Sequence, residues 1–326
     1  MRVLVTGGAG YIGSETVRLL AARGHLPVVL DTLERGHPAA VGGAALVVGS
    51  IADATLVETT LREHAIEAVI HFAALKSVEA SLLDPAGYFE TNVGGTFALL
   101  EAMGRAGVNR LVYSSSCAVY GTPSDLPVLE TSELRPENPY GETKVLVERA
   151  LPWFDEIGLR SVRLRYFNAA GAAFDGRHGE DWTDAPNLVP VVIKAALGLG
   201  PAVRVLGSDY PTADGTAVRD YVHVADLAEA HLLAVEALAR GLPSTTLNLG
   251  TGEGSSVRQV IDAVGAVAGR PVPEVAAPRR VGDPAAVWAD ARLAEATLDW
   301  RARHRLQAIV ETAWRWHSTH PDGYDR

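Results

Sequence analysis

Cysteine and lysine are the residue types that this sequence uses least. Cys117 is the only cysteine among 326 residues, so no intrachain disulfide can form, and a reducing compartment, the cytoplasm, fits best. Cys117 itself is typical of a small buried residue at a strand end rather than of a nucleophile. The three lysines, Lys76, Lys144 and Lys194, stand among 29 basic residues, so a lysine beside a reactive group is not background composition.

Long apolar runs are also missing. None approaches the roughly 20 residues of a membrane span, and the amino terminus has no charged segment followed by an apolar signal core. The net charge of −10 argues against nucleic acid and anionic membranes as partners, because both carry negative charge. The 48% hydrophobic and 21% charged residues are ordinary for a globular chain of one large domain or two unequal ones.

A glycine-rich turn follows the first apolar segment. Residues 2–6 form a short β-rich run, residues 14–23 have a helical pattern, and residues 27–30 predict a second strand that Asp31 ends. Strand, glycine turn, helix, strand and acid in this order are the fingerprint of a dinucleotide site. Glycines admit the pyrophosphate to the helix N-terminus, and Asp31 would accept hydrogen bonds from ribose hydroxyls, which favours NAD over NADP. The turn contains Gly7, Gly10, Tyr11, Ile12 and Gly13.

Strands and helices continue to alternate after Asp31. This alternation predicts an α/β fold with a Rossmann-type doubly wound parallel sheet, covered by helices on both faces, and a smaller α/β part at the C-terminal end. The further elements of the first part are strands at residues 46–48, 68–71, 110–114 and 160–166 and helices at residues 55–64, 88–103 and 140–154.

An irregular segment, residues 172–186, separates the two parts of the chain. We expect an NAD-binding domain over residues 1–170, which also receives a strand and a helix from about 216–250, and a smaller substrate domain over 171–326. The acidic and histidine side chains of the irregular segment have no regular spacing, so a solvated loop is favoured over a metal site, and no metal is expected. They are His178, Glu180, Asp181 and Asp184.

Tyr140 and Lys144 lie four residues apart in a segment with a helical pattern, so both side chains stand on one helix face. A tyrosine titrates near 10 in water, and a nearby lysine ammonium favours the phenolate and lowers that pKa. Ser116 follows the strand at 110–114, and its hydroxyl can relay a proton between a substrate alcohol and Tyr140. The three side chains together predict an acid/base device for alcohol and ketone chemistry.

These motifs together resemble the nucleotide-sugar epimerases of the extended short-chain dehydrogenase/reductase superfamily. The resemblance extends from the first strand to about residue 290, and the segments after Asn168 are the ones specific to such epimerases. Besides the glycine turn, Asp31 and the Tyr140–Lys144 pair, it rests on residues 71–76, 114–116, 138–141, 164–168, 207–212, 218–224 and 279–283.

The resemblance implies reversible inversion at carbon 4 of UDP-galactose and UDP-glucose through a 4-keto sugar, with hydride passing to a tightly held NAD and back. Tyr140 would take the 4-hydroxyl proton directly or through Ser116, and Lys144 would hold the nicotinamide ribose. The cofactor residues that it implies are Gly7, Gly10, Tyr11, Ile12, Gly13, Asp31, Ser50, Ile51, Phe72, Ala73, Ala74, Lys76, Asn92, Ser114, Tyr140, Lys144 and Tyr166.

The same resemblance implies a UDP-sugar site, in which arginine offers a fork of donors to the diphosphate. Some relatives carry a tyrosine where Val287 stands, so the pocket is expected to accept UDP-N-acetylhexosamines as well. Ser50 replaces a frequent aspartate and removes one acceptor near the adenine. The substrate residues that the resemblance implies are Ser116, Tyr140, Asn168, Asn187, Leu188, Arg204, Leu206, Arg219, Arg280, Asp283 and Val287.

Several related activities remain as alternatives. A UDP-pentose or UDP-uronate 4-epimerase differs only in the pocket at carbon 5. A nucleotide-sugar 4,6-dehydratase needs further acids after the active-site hydroxyl, where this chain has Cys117, Ala118 and Val119. A non-catalytic dinucleotide sensor typically loses the tyrosine or the lysine. The resemblance also implies a homodimer, formed through the helices that start near Asn92 and Tyr140.

Overall fold

The structure, a computed structural model, describes residues 1–183, 185, 187–280 and 283–324. A parallel sheet of seven strands forms its centre, and this confirms the predicted fold class. From one edge to the other, the strands are Ala45–Val48 (β3), Leu26–Asp31 (β2), Arg2–Thr6 (β1), Ala68–His71 (β4), Arg110–Ser116 (β5), Arg160–Tyr166 (β6) and Thr245–Leu249 (β11).

Consecutive side chains of β1 show why the sheet is covered on both faces. Val3 and Val5 point into one hydrophobic core, and Leu4 points into the other, because successive side chains of a strand alternate between the two faces. All three are fully buried. A strand that is apolar at every position is stable only between two helical layers, which is the arrangement found here.

The two helical layers come from different parts of the chain. Helices α1 and α8 contact each other and contribute to the first core, whereas α2 and α5 pack together in the second. The helices are Tyr11–Ala22 (α1), Ala54–Glu63 (α2), Val78–Leu83 (α3), Pro85–Phe89 (α4), Gly95–Ala106 (α5), Pro139–Asp155 (α6), Leu188–Leu197 (α7), Val224–Ala239 (α8), Val257–Ala268 (α9), Arg292–Leu298 (α10) and Leu306–Thr319 (α11).

Three small sheets and a third hydrophobic core, to which α7, α9 and α11 contribute, make up the rest of the fold. Strand β11 and helix α8 belong with the large sheet although they follow residue 171, while the domain division at residue 170 stays a prediction. The paired strands are Asn168–Ala170 (β7) with Tyr221–His223 (β10), Val203–Leu206 (β8) with Glu274–Ala277 (β13), and Val218–Arg219 (β9) with Ser255–Ser256 (β12) and Ala286–Val287 (β14).

Two expectations from the sequence are wrong in detail. The single helix expected over residues 88–103 is interrupted by a π-helical turn, Glu90–Gly94. The Asn92 amide points out of this turn, accepts a hydrogen bond from the Leu75 amide and donates one to the Leu75 carbonyl. The loop expected to be solvated is partly buried instead, since Glu180 is only 4% exposed.

Among the helices of the described residues, none combines the length and the apolar character of a membrane span.

Candidate active site

The carboxyl ends of the parallel strands form the edge at which the candidate residues meet. The glycine turn follows β1, the segment from Phe72 to Lys76 follows β4, Ser116 ends β5, and Tyr166 ends β6. The strands are adjacent in the order β1, β4, β5, β6, so these segments are neighbours in space. Ligands of open parallel sheets bind at this edge.

The start of α6 places the tyrosine and the lysine. The Asn138 side chain caps the helix by accepting a hydrogen bond from the Gly141 amide at 2.9 Å, and Pro139 occupies the first helical position, where it loses no intrahelical bond. Tyr140 therefore lies in the first turn and Lys144 one turn later, and both are buried. The Lys144 Nζ lies 5.8 Å from the centroid of the Tyr140 ring.

Hydrogen bonds connect this pair to the end of β5. The Lys144 Nζ donates to the Ser114 carbonyl oxygen at 2.9 Å, and the Ser116 side chain lies near enough to the Tyr140 hydroxyl to lower its pKa. The Ser116 Oγ accepts from the Ala118 amide at 3.2 Å, which fixes its orientation. A substrate hydroxyl that approaches Ser116 or Tyr140 therefore meets two neighbouring proton carriers.

Burial dominates the electrostatics of the site. It raises the pKa of Tyr140 to about 12, and the Ser116 side chain acts in the opposite direction. Burial also lowers the pKa of Lys144 to about 8, against the charge of Glu148. The expectation that Lys144 brings the Tyr140 pKa below its ordinary value is therefore not met by the protein's own groups, because burial raises this pKa more than the neighbouring groups lower it. A positive charge bound beside Tyr140 would lower it.

Cys117 directly follows Ser116, and its environment does not favour a nucleophile. Burial raises the pKa of its thiol to about 12, and the charge of Arg219 only partly opposes this. A thiol with this pKa carries almost no thiolate at neutral pH, and the thiolate is the reactive form.

The glycine turn is packed as a dinucleotide requires. Gly7 has φ +70°, and a Cβ there would lie 2.7 Å from the Ala73 amide nitrogen. A Cβ on Gly13 would lie 2.2 Å from the Gly7 carbonyl oxygen. No side chain caps the N-terminus of α1 at Gly10, so its amides face the turn and can receive a pyrophosphate. These residues fit a bound dinucleotide.

Asp31 stands beside this turn at the end of β2. Its Oδ2 accepts from the Ala9 amide at 3.0 Å, and its Oδ1 accepts from the Leu33 amide at 2.9 Å. Each oxygen keeps a further lone pair for a ribose hydroxyl, and the negative charge disfavours a 2′-phosphate. The carboxylate is thus held in one orientation before any ligand arrives.

Other cofactor candidates have structural partners that the sequence did not reveal. The Ser50 side chain is used within its own turn, where its Oγ accepts from the Ala52 amide at 3.1 Å.

His231 of α8 was not among the cofactor residues expected from the sequence. It accepts or donates a hydrogen bond with Ser114 at 2.9 Å, and its ring lies 4.5 Å from that of Phe72 and 6.1 Å from that of Tyr166. No local motif marks it, because its partners come from two strands, β5 and β6, and from the segment that follows β4.

One group of substrate candidates comes together around Arg219. The Arg219 Nη2 donates to the Asp283 Oδ1 at 2.5 Å, and Arg280 lies 3.7 Å from the same carboxylate. The register of β9 and β14 places Val287 directly beside Arg219. Arg219 and Asp283 are largely buried, so their pair is not the surface ion pair that composition alone allows. Val281 and Gly282, which belong to the same motif, lie outside the described residues.

The remaining candidates belong to other elements of the fold. Arg204 and Leu206 are on β8, which pairs with β13, and Arg204 is exposed. Asn168 begins β7, and its amide donates to the Asp220 carbonyl at 2.9 Å. Asn187 precedes α7, which Leu188 begins. The expected phosphate partner Lys76 contacts a carboxylate, Glu180, at 3.3 Å.

The acidic and histidine side chains of the irregular segment were considered as metal ligands in the sequence. In the described parts of the chain, no group of three or more histidine, cysteine, aspartate or glutamate side chains could hold a metal ion. Asp181 of the irregular segment is paired with His37 at 2.7 Å instead. Asp184 lies outside the described residues.

A doubly wound sheet with a glycine turn and a buried Ser-Tyr-Lys constellation at its carboxyl edge defines an enzyme of the short-chain dehydrogenase/reductase class. The model of the NAD dependent epimerase/dehydratase family matches residues 3–250. The chain belongs to this family.

Epimerases are similar to this chain over nearly their full length. The UDP-glucose 4-epimerase of Halalkalibacterium halodurans is 46% identical over 99% of this chain and 98% of its own. The structure of a UDP-glucose 4-epimerase from Brucella ovis in complex with NAD has a TM-score of 0.95 at 45% identity, covering 100% of this chain and 99% of that one. A UDP-glucose-4-epimerase structure from Stenotrophomonas maltophila, with bound NAD and formylated UDP-arabinopyranose, has a TM-score of 0.96 at 44% identity, covering 98% and 99%.

Proposed function

We propose that this protein is an NAD-dependent UDP-glucose 4-epimerase, which interconverts UDP-galactose and UDP-glucose in the cytoplasm. The observation that carries the proposal is the buried group of Ser116, Tyr140 and Lys144 at the carboxyl edge of the sheet, in a chain that matches epimerases of this name from end to end. The single cysteine, Cys117, supports the cytoplasmic location.

The chain's own residues bind the substrate and move one proton. Arg219 and Arg280 offer donors to the diphosphate, and Asp283 accepts from the uridine ribose. Tyr140 removes the proton of the 4-hydroxyl, directly or through Ser116, and returns it when the alcohol forms again. When bound, NAD supplies a hydride acceptor for carbon 4 and a positive ring, whose charge lowers the pKa of Tyr140.

The reaction type is tested by the mass of the product. Incubation with UDP-galactose is expected to give UDP-glucose, an isomer of equal mass. A product lighter by one water would mean 4,6-dehydration. That reaction needs acids after the active-site hydroxyl, and Cys117 and Ala118 occupy those positions. No conversion at all, even with NAD supplied, would contradict the proposal.

UDP-pentoses are the second candidate substrates. The relative from Stenotrophomonas maltophila holds a formylated UDP-arabinopyranose, which is the specific observation in favour of them. We infer that this chain's pocket at carbon 5 also admits a pentose, since a site that fits a hexose rejects a smaller sugar only by lost contacts. An assay of UDP-arabinopyranose beside UDP-galactose shows whether the protein epimerises the pentose as well as the hexose.

Val287 is expected to determine whether an N-acetyl group fits at carbon 2. The wild type should turn over UDP-N-acetylgalactosamine, whereas Val287→Tyr should lose at least ~10-fold in kcat/KM for it, because the larger side chain fills the space beside Arg219. Activity on UDP-galactose should be retained in the same variant. The control Val287→Ala should keep both activities. Unchanged N-acetyl activity in Val287→Tyr would assign the selection to another residue.

We also propose that the protein forms a homodimer through α5 and α6. Phe97 of α5 and Trp153 of α6 are 40% and 77% exposed, and the Phe97 ring lies 6.5 Å from that of Phe154. Large apolar side chains grouped on one helical face typically mark a protein interface, and a two-fold axis lets the same face meet its copy.

Replacing Trp153 by glutamate should weaken dimerisation by ~30-fold or more, because a charge would be buried at the interface. Sedimentation velocity over a range of concentrations measures this directly. Leu199, exposed in the smaller part of the fold, supplies the control Leu199→Glu, which should dimerise like the wild type. A wild type that sediments as a monomer at all concentrations would contradict the dimer.

A further inference from the structure

A buried carboxylate connects the candidate cofactor residues to the candidate substrate residues. The Oε1 atom of Glu180 accepts from the Lys76 Nζ at 3.3 Å and from the Asn187 Nδ2 at 2.7 Å. Lys76 belongs to the expected cofactor set and Asn187 to the expected substrate set. The Glu180 side chain is only 5% exposed, so one oxygen in a largely dry position serves both.

The segment that carries Glu180 is fastened on both sides. The Glu180 carbonyl accepts from the Trp316 Nε1 of α11 at 3.1 Å, and the neighbouring Asp181 pairs with His37. At the start of the segment, the Tyr11 hydroxyl donates to the Gly171 carbonyl at 2.6 Å. Tyr11 of the glycine turn therefore contacts the residue that directly precedes the segment carrying Glu180.

The Asn187 side chain at the start of α7 binds Glu180 rather than capping the helix. Asn187 occupies the N-cap position, yet its side chain makes no capping hydrogen bond. Its amide donates to Glu180 instead, and hydrogen bonds to a charged acceptor are stronger than neutral ones. The Lys76 side chain is 65% exposed, so solvent screens the ion pair between Lys76 and Glu180. The hydrogen bond to Asn187 is thus the stronger of the two contacts.

We propose that Glu180 is a positioning residue that couples binding of the dinucleotide to binding of the UDP-sugar, an inference that rests on the proposed function. Lys76 and Asn187 share one acceptor oxygen. A ligand that orders either side chain therefore constrains Glu180, and through it the other side chain. Such coupling is reciprocal, because each ligand must change the affinity of the other by the same factor.

The test measures NAD retention by the holoenzyme with and without UDP, at the temperature at which the wild type without UDP loses half its cofactor during the incubation. Wild-type protein should lose NAD ~10-fold more slowly when UDP is present, so the ratio of the loss rates without and with UDP should be ~10. In Glu180→Ala this ratio should fall to ~2 or less. The KM for UDP-galactose should rise in this variant, and kcat should stay within ~3-fold of the wild type. Glu180→Gln keeps an acceptor for Asn187 but loses the charge, so its ratio should be intermediate.

Asp181→Asn is the matched control, since Asp181 is the adjacent carboxylate and contacts His37 rather than Lys76 or Asn187. Its ratio should equal that of the wild type. A wild-type ratio of one, or an equal ratio in both Glu180 variants and the wild type, would overturn the coupling. If the wild type does not convert UDP-galactose, the proposed function fails instead, and that assay is independent of NAD retention.

Discussion

Tyr140→Phe is expected to lower the turnover of UDP-galactose by ~10²–10⁴-fold, the range that one positioned acid/base group contributes. The phenyl ring fills the same buried volume, and the change removes only the hydroxyl. NAD content and KM should stay within ~3-fold of the wild type. Steady-state assays and the NAD content of the purified variant measure the three quantities separately.

Tyr113 offers a matched control for this substitution. Its ring is also buried and lies 5.0 Å from the Lys144 Nζ, but its hydroxyl has no hydrogen-bond partner among the described residues. Tyr113→Phe should therefore keep nearly full turnover and lose no stability, because no buried hydrogen bond is broken. Tyr140→Phe with more than a tenth of wild-type activity would show that another group carries the proton.

Glu148→Ala is expected to reduce the free energy of unfolding by ~3–5 kcal/mol, the cost of leaving one member of a buried ion pair without its partner. The Arg165 Nε donates to both Glu148 oxygens at 3.0 Å, and Ser115 donates to Oε1 at 2.5 Å. Arg165 also donates to the Tyr120 hydroxyl at 2.8 Å. Glu148 lies on α6, one helical turn beyond Lys144, so the same change should disturb the helix that carries Tyr140 and Lys144.

Urea unfolding of the wild type and the variant measures this loss. The control is Arg149→Ala, at the exposed next position of α6, which should change the free energy of unfolding by no more than ~0.5 kcal/mol. Replacing Glu148 and Arg165 together by leucine and methionine should restore much of the lost stability, since the buried charge is removed. A loss below ~1 kcal/mol in Glu148→Ala would mean that water reaches Arg165.

The parts of the fold that could be predicted are those that local patterns determine. Residues 2–6 are rich in valine and leucine and favour a buried strand, and the glycines after them indicate the turn that follows. The spacing of Tyr140 and Lys144 predicts a shared helix face wherever the helix packs. Asn138 and Pro139 mark the start of that helix just as clearly.

The parts that could not be predicted depend on partners distant in sequence. Asn92 forms a π turn because Leu75, 17 positions away, takes its side-chain hydrogen bonds. Glu180 looks like a loop residue until Lys76 and Asn187 are seen to share its oxygen. The raised pKa of Tyr140 follows from burial, which no spacing of residues reveals, whereas the lysine that was expected to lower it is visible in the sequence.

In the proposed reaction, the hydrogen leaves carbon 4 of the sugar as hydride and returns to the same carbon within one catalytic cycle. The decisive experiment incubates UDP-galactose deuterated at carbon 4 with purified protein and no added NAD. We expect UDP-glucose that keeps the deuterium at carbon 4, because the hydride never exchanges with solvent. Loss of the label to water, or its appearance in free NADH, would rule out return of the hydride within one cycle.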